Sequence, residues 1–234
     1  MLSESFVRAD KAGKSEQAMQ AVQGFRKWPN ALRQRVYDWH HNVDTWQPIT
    51  LDKLHIESEN LTHGVRYDPT TRSRFRRIMK AFRLPLDRFT FIDLGCGKGK
   101  VLLLASLCPF RRIVGVEFSA ELADAAARNA STFRPRSEQK CKDISVVCTD
   151  AAHYRLPTGP LVIYMYNPFR EQVMKSVLGE IKRALEAGSE EIYVAYLMPL
   201  LGQLLKDSGF LDLAQETPGF CIFKSRGEKS DVKG

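Results

Sequence analysis

Phe91-Ile92-Asp93-Leu94-Gly95-Cys96-Gly97-Lys98-Gly99-Lys100, followed at once by Val101-Leu102-Leu103-Leu104-Ala105, decides the fold of this 234-residue chain. The apolar run reads as a buried strand. The glycines read as a tight turn, and the leucines after them as a helix. A strand, a glycine turn and a helix in that order build a nucleotide-type pocket at the carboxyl end of a sheet strand. The glycines Gly95, Gly97 and Gly99 are spaced GxGxG, whereas a dinucleotide site wants GxGxxG, and the GxxxxGK[ST] spacing of a P-loop is absent. Asp93 stands two residues before the first glycine. A carboxylate there suits a ligand with a positive end and repels a pyrophosphate.

Outward from this turn, strands and helices alternate. Phe89–Leu94 is predicted as the first strand and Lys98–Cys108 as its helix. Arg112–Glu117 is the second strand, followed by an alanine-rich helix over Ala120–Phe133 with Ser119 as its N-cap. Ile144–Thr149 and Leu161–Tyr166 are strands three and four. A helix over Arg170–Ala187 ends near Gly188. Glu191–Tyr196 is strand five, and Leu200–Ser208 a short helix. Phe210–Ala214 and Phe220–Lys224 close the pattern as an antiparallel pair. The fold class is therefore α/β: a doubly wound, mainly parallel seven-stranded sheet with helices on both faces and an N-terminal helical extension.

Upstream, Met19, Val22, Phe25 and Trp28 fall at helical spacing over Glu16–Trp28. Leu32, Val36, Trp39 and Val43 do the same over Ala31–Trp46, an amphipathic helix expected to pack on the main domain. His40-His41 has no partner at metal-ligand spacing and reads as surface. Thr71–Arg83 is a basic helix with Phe75, Ile78, Met79 and Phe82 on one face. The expected organisation is an extension or cap over 1–62, a main domain over 63–225 and a loose charged tail over 226–234. Residues 1–15, polar and poor in large apolar groups, are expected to fray.

Composition narrows the class. Hydrophobic residues make up 44%, enough for a sizeable core. The longest apolar runs are too short to cross a bilayer. The five cysteines form no CxxC pair and no metal-type spacing, so no metal site is expected. The start of the chain lacks a basic residue followed by an apolar core. Together these predict reduced thiols in a cytoplasmic protein. The net charge of +8 is uneven: residues 1–90 hold 16 Lys/Arg against 10 Asp/Glu, and the remainder is close to balanced. That excess suits an anionic partner such as RNA, or ordinary solvation of helix faces.

A ligand that is cationic and lacks phosphate fits the glycine turn, and S-adenosylmethionine carries an ammonium, a sulfonium and no phosphate. The segment resembles motif I of the class I, seven-strand S-adenosylmethionine-dependent methyltransferases. Three later segments resemble that family's motifs in order. Val114-Gly115-Val116-Glu117-Phe118 ends strand two, 24 residues beyond Asp93. The resemblance implies that Glu117 takes the ribose hydroxyls and Phe118 lies against adenine. Cys148-Thr149-Asp150-Ala151 ends strand three and resembles the adenine-contacting turn. Tyr164-Met165-Tyr166-Asn167-Pro168-Phe169 ends strand four and resembles motif IV, beside the transferable methyl. Tyr67-Asp68-Pro69-Thr70 resembles the segment that folds over the methionine end. The resemblance covers about residues 63–225.

The cofactor residues implied are Tyr67, Thr70, Asp93, Gly95, Cys96, Gly97, Glu117, Phe118, Asp150, Ala151 and Asn167. Cys96 reads as a small residue fitted to the turn rather than a nucleophile. Asn167, Pro168, Phe169 and Tyr166 would line the methyl-transfer site. Asn-Pro-Phe resembles, one proline short, the Asn/Asp-Pro-Pro-Tyr/Phe signature of methyltransferases acting on amide or exocyclic amine nitrogen. The Tyr-x-Pro-Thr segment is shared with some lysine methyltransferases of this fold. The implied activity is an S-adenosylmethionine-dependent N-methyltransferase acting on a protein lysine or other amine, or on an RNA base. A nucleic-acid-binding module that kept the fold without catalysis is the alternative, carried by the basic helix.

Overall fold

The computed structural model describes residues 30–46, 70–134, 136–166 and 169–226. The expected helix over Glu16–Trp28, and the whole segment 47–69, lie outside them.

Seven strands form one sheet: β1 (Thr90–Leu94), β2 (Arg112–Glu117), β3 (Ile144–Cys148), β4 (Leu161–Tyr166), β5 (Ile192–Leu197), β6 (Leu211–Thr217) and β7 (Phe220–Ser225). Their spatial order is β3-β2-β1-β4-β5-β7-β6. The first five run parallel, and β7 enters antiparallel to β5 with β6 antiparallel to β7. The helices are α1 (Asn30–His41), α2 (Arg72–Ala81), α3 (Lys100–Ser106), α4 (Ala120–Thr132), α5 (Glu171–Glu186) and α6 (Gly202–Lys206).

The two-residue strand period sorts the core. Phe91, Ile113 and Val162 face one layer, where they pack with Phe75 and Ile78 of α2 and Leu102 of α3. Ile92, Val114 and Ile163 face the other, against Val173, Met174, Val177 and Ile181 of α5. Because both faces are covered, the parallel strands read as near-continuous apolar runs, as central parallel strands must.

Local chemistry sets the element ends. Ser119 caps α4 by accepting from the Leu122 N–H at 3.3 Å, as predicted. Phe89 is not in the strand, because its N–H closes a 3-10 turn on the Leu86 carbonyl. Helix α3 starts at Lys100 rather than Lys98, because Gly97 and Gly99 hold φ of 54° and 79°, incompatible with a right-handed helix.

The largest departure is in α1. The expected helix to Trp46 stops at His41, and Asn42 turns the chain with φ 56°. The cause is Asp38, whose carboxylate accepts from the Thr45 N–H and hydroxyl, each at 2.6 Å, and from the Trp46 N–H at 2.8 Å. A side chain that accepts two backbone N–H bonds and one hydroxyl bond outcompetes one further helical turn. The expected apolar face is also corrected. Leu32 and Trp39 are 43% and 82% exposed, and the buried residues are Asp38 and His41. His41 is therefore not a surface residue. Its ring stacks on Phe133 and its Nδ1 meets the Arg134 carbonyl.

Candidate active site

The carboxyl ends of the parallel strands share one edge of the sheet, and the strand order reverses there between β1 and β4. Open α/β sheets bind ligands at this switch point. Asp93 sits near the end of β1, beside Gly115 on one side and Tyr164 on the other.

The glycine turn is held from β2. The N–H groups of Gly95 and Cys96 donate to the Val116 carbonyl at 2.8 and 3.0 Å. The Gly97 N–H donates to Glu117 Oε2 at 2.8 Å, and the Ser119 N–H to Oε1 at 3.1 Å. Glu117 thus ties the turn to its own strand, and each oxygen keeps a lone pair for a further donor. Gly95 is exposed, whereas residues 96–100 are buried. Gly95 holds φ 80°, so the backbone reaches the surface there without a side chain in the way.

Asp93 and Glu117 are each 3% exposed. Burial pushes the Asp93 carboxyl well above the usual carboxylate range, and the neighbouring Glu117 pushes it the same way. No hydrogen-bond donor reaches Asp93 among the described residues. Burial also raises Glu117, against the lowering effect of the Ser119, Gly97 and Phe118 N–H groups. Two adjacent buried acids, one without a donor, are relieved by a ligand that brings positive charge or several donors.

Cys96 is buried against Gly115. A Cβ at Gly115 would lie 2.7 Å from Cys96 Sγ and 2.6 Å from Leu102 Cδ1. Burial raises the Cys96 thiol, which fits packing and not nucleophilic chemistry. Asp150 Oδ1 accepts from the Ala152 N–H at 2.8 Å and so caps the turn after β3. Ala151 is buried and Phe118 half-buried.

At β4, Thr70 Oγ1 lies 3.0 Å from the Tyr164 hydroxyl, which is buried above Asp93's neighbouring strand position. Tyr166 is half-buried, and its hydroxyl accepts from Arg74 Nη1 at 2.6 Å. Phe169 packs on the α5 face of the sheet. Tyr67, Asn167 and Pro168 lie outside the described residues.

Sequence reading missed three groups. Arg74 looked like one more solvated cation of the basic helix, yet its guanidinium also lies over the Tyr166 ring, 5.1 Å from the centroid. Tyr164 read as a core strand residue. The lysines of the turn were passed over altogether. Lys98 is 4% exposed and pairs with Asp44 at 2.9 Å. Lys100 is 2% exposed, pairs with Asp38 at 3.3 Å and lies 3.2 Å from the centre of the Tyr37 ring. Asn129 of α4 closes the joint, with its amide donating to the Asp44 and Lys98 carbonyls and its oxygen accepting from the Asp44 N–H, all at 2.9 Å. The available signal was two lysines in a buried turn, which demand acids from elsewhere in the chain.

Residues 91–188 match a family model described as a methyltransferase domain. The ribosomal protein L11 methyltransferase of Aquifex aeolicus is 21% identical over 167 residues, 66% of this chain and 63% of that protein. The chain thus spans less than two thirds of the length of that curated relative. A solved Listeria monocytogenes protein, predicted to be an N6-adenine-specific DNA methylase, superposes with a TM-score of 0.51 at 14% identity. The match covers 68% of this chain and 52% of that one. A Pyrococcus horikoshii protein proposed to be an RNA methyltransferase gives a TM-score of 0.51 at 17% identity, over 76% of this chain and 95% of that one. These structural likenesses are of fold. In its ordered strand-end motifs and in the match over 91–188, the chain is similar to class I, S-adenosylmethionine-dependent methyltransferase domains.

Proposed function

We propose that this domain transfers a methyl group from S-adenosylmethionine to a nitrogen nucleophile, a protein lysine or other amine or an RNA base. One observation carries the cofactor side of this reading: two buried carboxylates, Asp93 and Glu117, beside the exposed backbone of Gly95. The residues present fit the cofactor. Asp93 supplies an acceptor for its ammonium end, directly or through water. Glu117 keeps lone pairs for ribose hydroxyls while tying down the turn, and Asp150, Ala151 and Phe118 stand at the adenine end. Bound S-adenosylmethionine supplies an activated methyl on a sulfonium.

The chain's own residues then have three tasks: to align the acceptor, to exclude water and to accept a proton where the nucleophile needs it. Tyr166 is oriented by Arg74, and Thr70 is held by Tyr164. Both stand at the end of β4, where Asn167, Pro168 and Phe169 follow in sequence. Asn-Pro-Phe offers an acceptor oxygen and a flat ring, a pairing suited to an N–H nucleophile. The proposed organisation remains an extension over 1–62, a catalytic domain over 63–225 and a tail. The similar proteins are named for a ribosomal protein, DNA adenine and RNA as acceptors, which supports a methyl-acceptor in protein or nucleic acid without choosing between them.

Titration calorimetry with S-adenosylmethionine tests the reading. Binding in the wild type and its loss in Asp93→Ala, with an unchanged far-ultraviolet spectrum, is the expected outcome. No heat at millimolar ligand would overturn it. A non-catalytic nucleic-acid module has no use for the buried acid pair, which is costly to retain.

A further inference from the structure

Helix α2 carries the sequence RSRFRRIMKA, with no acid in its first turn or anywhere else. Its buried face is Phe75 and Ile78. Arg72, Arg76, Arg77 and Lys80 are exposed, as is Arg83 just beyond the helix. None of these five forms an ion pair among the described residues. An ordinary solvated face mixes signs, because like charges at i,i+4 repel. Here Arg72, Arg76 and Lys80 make a single-sign i,i+4 stripe.

At the amino end of this stripe lies a cavity of about 350 Å³ between α1 and α2. Arg33, Tyr37, His40, His41, Arg72 and Ser73 line it, and no acid among the described residues does. The first turn of α2 opens onto it, so helical N–H groups without intrahelical partners add to the positive field. The Tyr37 hydroxyl is buried with no hydrogen-bond partner. One residue before His40, Trp39 presents an 82% exposed ring. The other end of the same helical turn reaches the proposed methyl-transfer site, where Arg74 holds Tyr166.

We infer that α2 and the α1–α2 cavity form the docking track for the backbone of a single-stranded RNA acceptor. This rests on the methyltransferase reading for its direction toward β4. Guanidinium groups pair phosphate oxygens bidentately. From Arg72 to Lys80 the stripe runs about 12 Å at 1.5 Å per residue, long enough for several backbone charges. Ser73, Gln34 and His40 in the cavity wall are polar partners for a ribose 2′-hydroxyl, the group that tells RNA from DNA. The Trp39 ring is a stacking platform of the kind single-strand binders use. A lysine-bearing protein acceptor would bring positive charge against the same uncompensated cations.

The test is fluorescence anisotropy of a labelled 20-nucleotide single-stranded RNA titrated with the full chain at 50, 100 and 200 mM KCl. The wild type is expected to bind, with affinity falling steeply as salt rises. The triple variant Arg72→Gln/Arg76→Gln/Lys80→Gln should lose about 2 from the log–log salt slope, at about 0.7 per single-strand phosphate contact. Trp39→Ala should weaken binding about tenfold at an unchanged slope. Both variants should bind S-adenosylmethionine as the wild type does. No RNA binding at 50 mM KCl, an unaltered slope in the triple variant, equal affinity for single-stranded DNA, or equal displacement by polyglutamate would each overturn the proposal. If calorimetry finds no cofactor binding while the RNA results hold, the methyltransferase reading fails and the docking track stands.

Discussion

Replacing Lys100 by methionine removes a charge that the fold carries at a cost. Lys100 is 2% exposed. Burial lowers its pKa from 10.5 to about 8, although Asp38 pulls it the other way. The sign follows from proton counting. Between pH 8 and 10.5 the unfolded chain holds this proton and the folded chain does not. Stability therefore rises with pH across that window, by about 1.4 kcal/mol per unit. Over the whole interval the wild type gains roughly 3 kcal/mol from this one group. Below pH 8 that amount stays lost. Lys100→Met keeps an unbranched chain against the Tyr37 ring, and it leaves Asp38 with its bonds to Thr45 and Trp46, so no buried acid is orphaned. At pH 7 the variant should be as stable as the wild type or more so, by up to roughly 3 kcal/mol. The advantage should decay to nothing by pH 10.5. Urea unfolding of both proteins at pH 7, 8, 9 and 10, followed by tryptophan fluorescence, reads the difference directly, because other titrating groups cancel between them. A difference that stays constant over pH, or a variant destabilised by several kcal/mol at pH 7, would refute the reasoning.

Asp93→Asn should abolish cofactor binding and yet stabilise the unliganded fold by about 0.5–2 kcal/mol, read as a raised Tm. The folded pKa of Asp93 is raised, so its contribution favours folding below its unfolded pKa and is lost as pH rises through the folded value. The variant should accordingly show a shallower loss of stability from pH 4 to 7, and a lowered Tm would count against the assignment. Gly115→Ala places a Cβ 2.6 Å from Leu102 Cδ1 and 2.7 Å from Cys96 Sγ. It should cost about 1–3 kcal/mol in urea unfolding, and a neutral result would mean that the turn is not packed as tightly as these distances say.

The sheet was legible because its physics is local. Parallel strands covered on both faces need continuous apolar runs, and Arg112–Glu117 and Leu161–Tyr166 end where the charge and loop residues begin. Asp93 and Glu117 were legible for a similar reason: Asp93 is the last but one residue of β1, at the switch point, and Glu117 ends the neighbouring β2. What failed was non-local. Nothing in the periodicity of Leu32, Val36 and Trp39 says that Asp38 folds back on Thr45 and Trp46. The apolar spacing therefore pointed the helix the wrong way, and Trp39 came out exposed. The link between Arg74 and Tyr166 spans 92 residues, and no sequence period encodes it. Asn167 and Pro168, on which the nitrogen preference leans, lie outside the described residues.

The partners of the missed lysines explain how the turn holds two buried acids with neither paired to a cation of the turn. The glycine turn alternates glycine with Cys96, Lys98 and Lys100, so both cations stand within seven residues of Asp93. Had they faced the acids, they would have lowered both carboxyls and pre-empted a cationic ligand. Instead Lys98 reaches Asp44 and Lys100 reaches Asp38. What moves Asp93 is burial and Glu117, both upward. The segment Asp38–Asp44 thus acts as a charge partition. It neutralises the positive side of the turn from behind and leaves the negative side open toward the strand ends. Asp38, within α1, and Asp44, just after it, thus shape the charge around the turn from outside the sheet. Two acids upstream of the family-matched region 91–188 thus hold the lysines of the turn.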